Sequence, residues 1–169
     1  MKQNDKRGHR HHQLGAAAVE FAFVFPLLLM MVYAIVVYGY LYVVRESIEF
    51  AAHKGIEAVV AVDPSASGVE TVRQNQAALA VNCAVYWLAG SCSQAVVASG
   101  RLTPQYTACT GGTGAGACPA GYGKVTVTYR VLNNGTWVFP KLFGLPGVGT
   151  VPPMPQTMTA TAIALLDSP

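Results

Sequence analysis

The stretch Phe21–Val44, FAFVFPLLLMMVYAIVVYGYLYVV, runs for 24 residues without a charge. At about 1.5 Å per residue it extends roughly 36 Å as a helix, enough to cross the hydrocarbon core of a bilayer with some tilt. The stretch therefore reads as a transmembrane helix. A cleaved secretory signal has an apolar core of about 7 to 15 residues followed by a small-x-small site. This run ends instead in the bulky residues Tyr40, Leu41, Tyr42, Val43 and Val44. Tyr38, Tyr40 and Tyr42 suit the membrane interface, where a phenol keeps its hydroxyl wet and its ring among apolar groups.

On the N-terminal side the charge distribution sets the orientation. The 169 residues carry 11 Lys+Arg and 8 Asp+Glu, a net +3. Lys2, Lys6, Arg7 and Arg10 against Asp5 place all of that excess before Gly15, and the remainder balances. A basic tip before an apolar run marks the cytoplasmic side, so everything after Arg45 is expected on the far side of the inner membrane, in the periplasm, with a single pass. A surface for polyanions would spread its charge over a folded domain, which argues against nucleic acid as a partner. With 52% hydrophobic and only 11% charged residues the chain is also no disordered polyelectrolyte.

Glu20 stands at the cytoplasmic edge of the run. An ionisable residue entering hydrocarbon usually has a partner or a task; the plainer account is an anion held by the dipole at a helix N-terminus. Its neighbours favour the first account. Gly15-Ala16-Ala17-Ala18-Val19-Glu20-Phe21 follows the hydrophilic leader MKQNDKRGHRHHQL. This resembles the processing site of type IV prepilins, where a membrane peptidase cuts after Gly and Glu is the fifth residue of the mature chain. More narrowly, residues 8 to 60 resemble the TadE-like (pseudopilin) family of tight-adherence pilus systems, with small residues after Gly, then Glu plus an aromatic, then a proline, Pro26 here. One departure is Phe21, where the major pilins of these systems carry Tyr. The resemblance implies Gly15 and Ala16 as the scissile pair and Glu20, with Phe21, as the assembly element. It implies a prepilin peptidase, other pilin subunits and the Tad secretion machinery as partners.

Cleavage after Gly15 would remove the basic leader and create an ammonium at Ala16. In a filament of packed apolar helices a buried Glu20 carboxylate needs a cation, and the new amino terminus of a neighbouring subunit supplies one. Pro26 lacks an amide hydrogen and clashes with the preceding turn, so it is expected to kink the helix or melt a turn, unless it is merely a tolerated membrane proline.

Beyond the span the helix is expected to continue to about Val62, one helix from Ala16. Ile48, Ala52, Ile56 and Val59/Val60 recur at helical spacing, opposite Glu46, Glu49, His53 and Glu57. Asp63-Pro64 ends it. Glu49, His53 and Glu57 have a spacing that metals accept, but a solvated face with i, i+4 pairs explains them better, and no metal or cofactor is expected. His53 is the only histidine outside the leader, and no nucleophile stands beside it in the sequence, so the chain is read as a non-enzyme.

Ser67-Gly68-Val69-Glu70 reads as a capping box opening a second helix that lies against the first. Its apolar positions are Val69, Val72, Leu79, Cys83, Tyr86 and Trp87, and Gly90 stops it; Gln74, Asn75 and Gln76 read as a surface face. Strand patterns follow: Ala95–Ala98 weakly, Lys124–Leu132 by clean alternation, and Thr157–Leu166 by alternation of Thr with small apolar residues. Asn133-Asn134-Gly135 marks a turn. The fold class is α+β: a long helix carrying the span at 21–44, continuing into a small domain with a second helix and a short antiparallel sheet. The domains are a cleaved leader 1–15, the helix 16–62 and a periplasmic domain 63–169. Residues 136–155 form an apolar loop rich in Pro and Gly that is read as a subunit or membrane contact.

Cys83, Cys92, Cys109 and Cys118 all lie in the exported part, which suggests two disulfides in an oxidising compartment. Three connectivities exist, and the spacing favours Cys83 with Cys92 and Cys109 with Cys118. Zinc sites use shorter Cys spacings. The reading that unites these features is a TadE-like pseudopilin or minor pilin. Its competitors are an uncleaved, membrane-anchored assembly scaffold of the same system and an unrelated anchored binding module.

Overall fold

The computed structural model describes residues 11–90, 92, 101–112, 117–133, 136–137, 143–145, 149–151 and 155–166. Two compact units divide the chain, Met1–Tyr40 and Leu41–Pro169. Helix α1, His11–Val60, supplies the described part of the first and enters the second. The helix is thus already under way at His11, ahead of the expected start at Ala16, and it stays helical through Pro26, so no turn melts there. In the N-terminal unit the apolar side chains from Val19 to Val36 are almost all exposed. Within Ala17–Val60 lies a window long and apolar enough to cross a membrane.

In the C-terminal unit the same helix behaves as a half-buried element. Ile48, Ala51, Ala52, Ile56 and Val59 are buried, while Glu46, His53 and Glu57 are exposed, which is the amphipathic division expected from spacing. Val60 is the exception, being exposed. Past the helix end, the Asp63 carboxylate accepts bonds from the Ser65 amide at 2.8 Å and hydroxyl at 2.7 Å. Those two bonds hold the Asp63 carboxyl below its usual range.

Helix α2, Val69–Ala84, opens differently from the expected capping box. Its N-cap is Gly68 in the left-handed region (φ 69°) with no side-chain cap, and Glu70 turns instead to Arg73. The packing face differs too. Arg73, Ala77, Ala78, Val81 and Asn82 are buried, whereas Val69, Val72 and Leu79 are half-buried and Cys83 is exposed. Small residues bring the helices close: a methyl placed on Gly55 would lie 2.8 Å from Val81 Cγ2 and 3.0 Å from Val125 Cγ1. The second helix does lie against the first. It breaks at Val85 and a single turn follows, α3 (Tyr86–Ala89), which stops at Gly90 with φ 77° as expected.

Three strands form an antiparallel sheet in the order β1-β2-β7: β1 Leu102–Ala108, β2 Tyr122–Arg130 and β7 Thr157–Leu165. Strand β2 alternates as its sequence does, burying Val125, Val127 and Tyr129. Val125 and Val127 pair with Ala162 and Ala160, and the outer positions pair Thr126 with Thr161 and Thr128 with Thr159. Large residues opposite small ones leave room for the helices on the inner face, and threonines suit the outer one.

Strand β1 was not among the expected strands, while the segment 95–98 that was lies outside the described residues. Pro104 makes β1 unobvious, since proline interrupts a strand ladder. Here Arg101 O accepts from Arg130 N at 2.7 Å and Cys109 N donates to Tyr122 O at 2.9 Å, so the odd-numbered residues of β1 bond to β2. Pro104 faces the other way, on the open edge, where its missing N–H removes no ladder bond. Two further pairs, β3 (Leu132–Asn133) with β4 (Thr136–Trp137) and β5 (Phe143–Leu145) with β6 (Gly149–Val151), are antiparallel and occupy part of the region read as a loop. The register of β3 with β4 encloses 134–135, where the Asn-Gly turn was expected; those two residues lie outside the described set. The α+β class stands.

Candidate functional site

Gly15 and Ala16 lie on helical backbone within α1. Four residues separate Ala16 from Glu20, one helical turn, so a charge at position 16 and the Glu20 carboxylate share a face of the helix. Glu20 is exposed, and so are Val19, Phe21, Phe23 and Phe25 around it. The Phe21 and Phe25 rings sit one turn apart with centroids 5.5 Å from each other at a 32° tilt. A single carboxylate thus stands in an apolar collar, with no further charge along the helix until Arg45. In water such a collar is an unfavourable surface; in lipid or among other apolar helices it is a packing surface with one polar point.

The four cysteines are joined as the spacing favours, Cys83 to Cys92 and Cys109 to Cys118, with Cα separations of 4.4 and 5.4 Å. The first bond brackets α3. The second ties the end of β1 to the approach to β2, two strands that already pair. On the polar face of α1, Glu49 accepts from Arg45 Nε at 3.0 Å and Glu57 from Lys54 Nζ at 2.7 Å. Glu49, His53 and Glu57 are therefore a solvated face with local ion pairs, each weak because each is exposed.

One polar cluster was missed. Gln74, read as surface, joins α2 to the open edge of β1: its Oε1 accepts from the Tyr106 amide at 2.7 Å and its Nε2 donates to Pro104 O at 3.4 Å. The carboxamide replaces a neighbouring strand for one residue pair and blunts the edge. Beside it Arg73 is buried and donates to Glu70 at 3.3 Å, while Arg73 Nε and the Tyr106 hydroxyl have no hydrogen-bond partner among the described residues. Burial pushes the Tyr106 phenol above its usual value, and the Glu70 charge adds to that. The signal in the sequence was a run of three amides on a helix with few charges. An open pocket of about 340 Å³ lies beside it, lined by Glu70, Thr71, Gln74, Tyr106 and Ala108, and the Gln74 bonds tie α2 to β1 at its edge.

No curated protein and no solved structure gives a significant match to the chain. The comparison with family models agrees with the resemblance read from the motif: residues 15–56, from Gly15 through most of the buried stripe of α1, match the family described as TadE-like protein.

Proposed function

We propose that the chain is a pseudopilin or minor pilin of a Tad-type pilus, inserted in the inner membrane with its C-terminal unit in the periplasm and trimmed by a prepilin peptidase after Gly15. The observation that carries this reading is the match over residues 15–56, and the exposed apolar helix behind Glu20 supports it. Its action is assembly, with no substrate turned over. Trimming discards the basic leader and leaves an ammonium at Ala16. Helices that pack side by side then place this cation against Glu20 of a neighbour. Breaking one member of a desolvated pair costs about 3–5 kcal/mol, enough for the pair to control register.

The mature N-terminus, determined from cells with and without the peptidase, is the test. A chain beginning at Ala16 only when the peptidase is present supports the proposal; one beginning at Met1 in both identifies an uncleaved scaffold. Glu20→Ala is expected to insert normally and to be lost from sheared pili, and normal pilus content in that variant would remove the pairing mechanism.

A further inference from the structure

The aromatic pair Tyr86-Trp87 does not belong to the core that surrounds it. Its neighbours Val85, Leu88 and Ala89 are buried, yet Tyr86 is 60% and Trp87 53% exposed. Exposing both is a choice of the fold, because the turn is clamped from each side. Cys83 and Cys92 are bonded across it and Gly90 closes it.

The level of this turn along α1 follows from its contacts. Gly55 lies beside Ala77 and Val81. Further along α2, Ala84, Val85 and Trp87 share a groove of about 390 Å³ with Tyr42, Val43, Glu46, Ser47 and Phe50. As residue numbers rise on α2 and α3 they fall on α1, so α3 is set at the level of Tyr42 and Val43 within the C-terminal unit. Tyr42 and Val43 are among the last residues before Arg45, the first charge after the span. Along α1 the groove's lining runs Tyr42, Val43, Glu46, Ser47 and Phe50, so apolar side chains flank two polar ones, and Tyr42 and Val43 form its end toward the span.

We infer that α3 is a lipid-contacting foot: Tyr86 and Trp87 insert into the headgroup and upper acyl region of the bilayer and hold the C-terminal unit against the membrane. This inference rests on the reading that Phe21–Val44 crosses the bilayer. Tyr and Trp are the residues that favour this layer, since each has an apolar ring and one polar atom that stays wet. The occupant is lipid because the groove's own wall is the end of the apolar span. The disulfide gives the foot a fixed form.

Trp87 is one of two tryptophans, so Trp137→Phe leaves it as the sole reporter in the full chain. In phosphatidylcholine vesicles its emission is expected to shift to shorter wavelength, to lose intensity with lipids brominated near the headgroup more than with lipids brominated near the chain end, and to resist aqueous iodide. A companion, Phe23→Trp with Trp87→Phe and Trp137→Phe, reports the span and is expected to respond most to deep bromines. Deep quenching of the companion with Trp87 open to iodide overturns the foot and leaves the span. An unquenched companion overturns both. Trp87 shielded from iodide but indifferent to either bromine position means that protein covers it, which also overturns the foot.

Discussion

Leu28 and Ile48 lie on one helix and have side chains of the same composition, yet Leu28 is exposed and Ile48 is fully buried. The difference extends to their surroundings. In the N-terminal unit nearly every position around the helix from Val19 to Val36 is apolar and exposed, whereas in the C-terminal unit apolar and charged positions alternate at helical period and only the apolar ones are covered. A helix apolar all round is selected for an apolar medium, and a striped one for a single packed face. Hydrophobicity alone does not report protein burial; its angular distribution does.

Substituting the same kind of residue in both units tests that distinction most strongly. Ile48→Ala is expected to lower the unfolding free energy of the C-terminal unit by about 2–5 kcal/mol, through lost transfer energy and a residual cavity. Leu28→Ala should stay within about 0.5 kcal/mol, because no core loses atoms. Denaturant titration of the full chain in detergent micelles, followed by near-ultraviolet dichroism, measures both. Comparable losses would mean that protein covers Leu28 and that the two halves are one kind of helix.

The disulfides rank next. Removing Cys109–Cys118 by Cys109→Ser with Cys118→Ser frees a short Gly-rich connection and is expected to cost about 2–3 kcal/mol. The same titration reads it. No change would show that the pairing of β1 with β2 already restricts this end as far as the bond does.

What was legible in the sequence was periodic or local. The stripe Ile48, Ala52, Ile56, Val59 and the alternation of β2 repeat often enough to fix their faces, and Gly90 and the cysteine spacings act within a few residues of themselves. The small-residue, Glu and aromatic pattern from Gly15 to Phe21 is likewise local, so the resemblance that the match over residues 15–56 bears out needed no fold. The face of α2 was misread for a physical reason: it is packed with small or polar side chains, Ala77, Ala78, Asn82 and Arg73, while Val69, Val72 and Leu79 are only half-buried and the aromatics Tyr86 and Trp87 that follow in α3 are exposed. A search for bulky apolar residues selects the wrong side of such a helix. Strand β1 was hidden by Pro104 and Gln105, and only the register shows why an edge accepts them. The Gln74 link joins residues distant in sequence, and no spacing rule encodes it.

Glycine sharpens the comparison at a smaller scale. Gly39, in the N-terminal unit, has open space where a Cβ would stand; at Gly55 the same atom would press on Val81 and Val125. Alanine gains about 1 kcal/mol over glycine in a helix interior. At Gly39 no described atom opposes that gain. At Gly55 it is opposed by overpacking worth about 1–3 kcal/mol, because the atoms met belong to stiff β-branched side chains. Gly55→Ala is therefore expected to be net destabilising, by about 1 kcal/mol, and Gly55→Val by more, within the overpacking range. A stabilising Gly55→Ala would show that α2 can move away without loss.

The smallest effect asks how fully the C-terminal unit excludes water where α2 meets the edge of β1. The Tyr106 hydroxyl is buried with no hydrogen-bond partner among the described residues, so Tyr106→Phe removes a desolvated group and should change stability at neutral pH by less than about 1 kcal/mol, in either direction. The alkaline limb separates this from a simple surface change. Burial, then the Glu70 charge, raise the folded phenol above its unfolded value, with Arg73 opposing. The stabilisation linked to this group is fully present below the unfolded pKa of about 10 and is lost as pH rises through the higher folded value, because over that window the unfolded chain releases a proton that the folded one retains. Against wild type, Tyr106→Phe should lose less stability between neutral pH and pH values above about 10, as read by urea titration at each pH. Identical slopes would mean that water reaches the hydroxyl and that the contact between α2 and the β1 edge is looser than its hydrogen bonds imply.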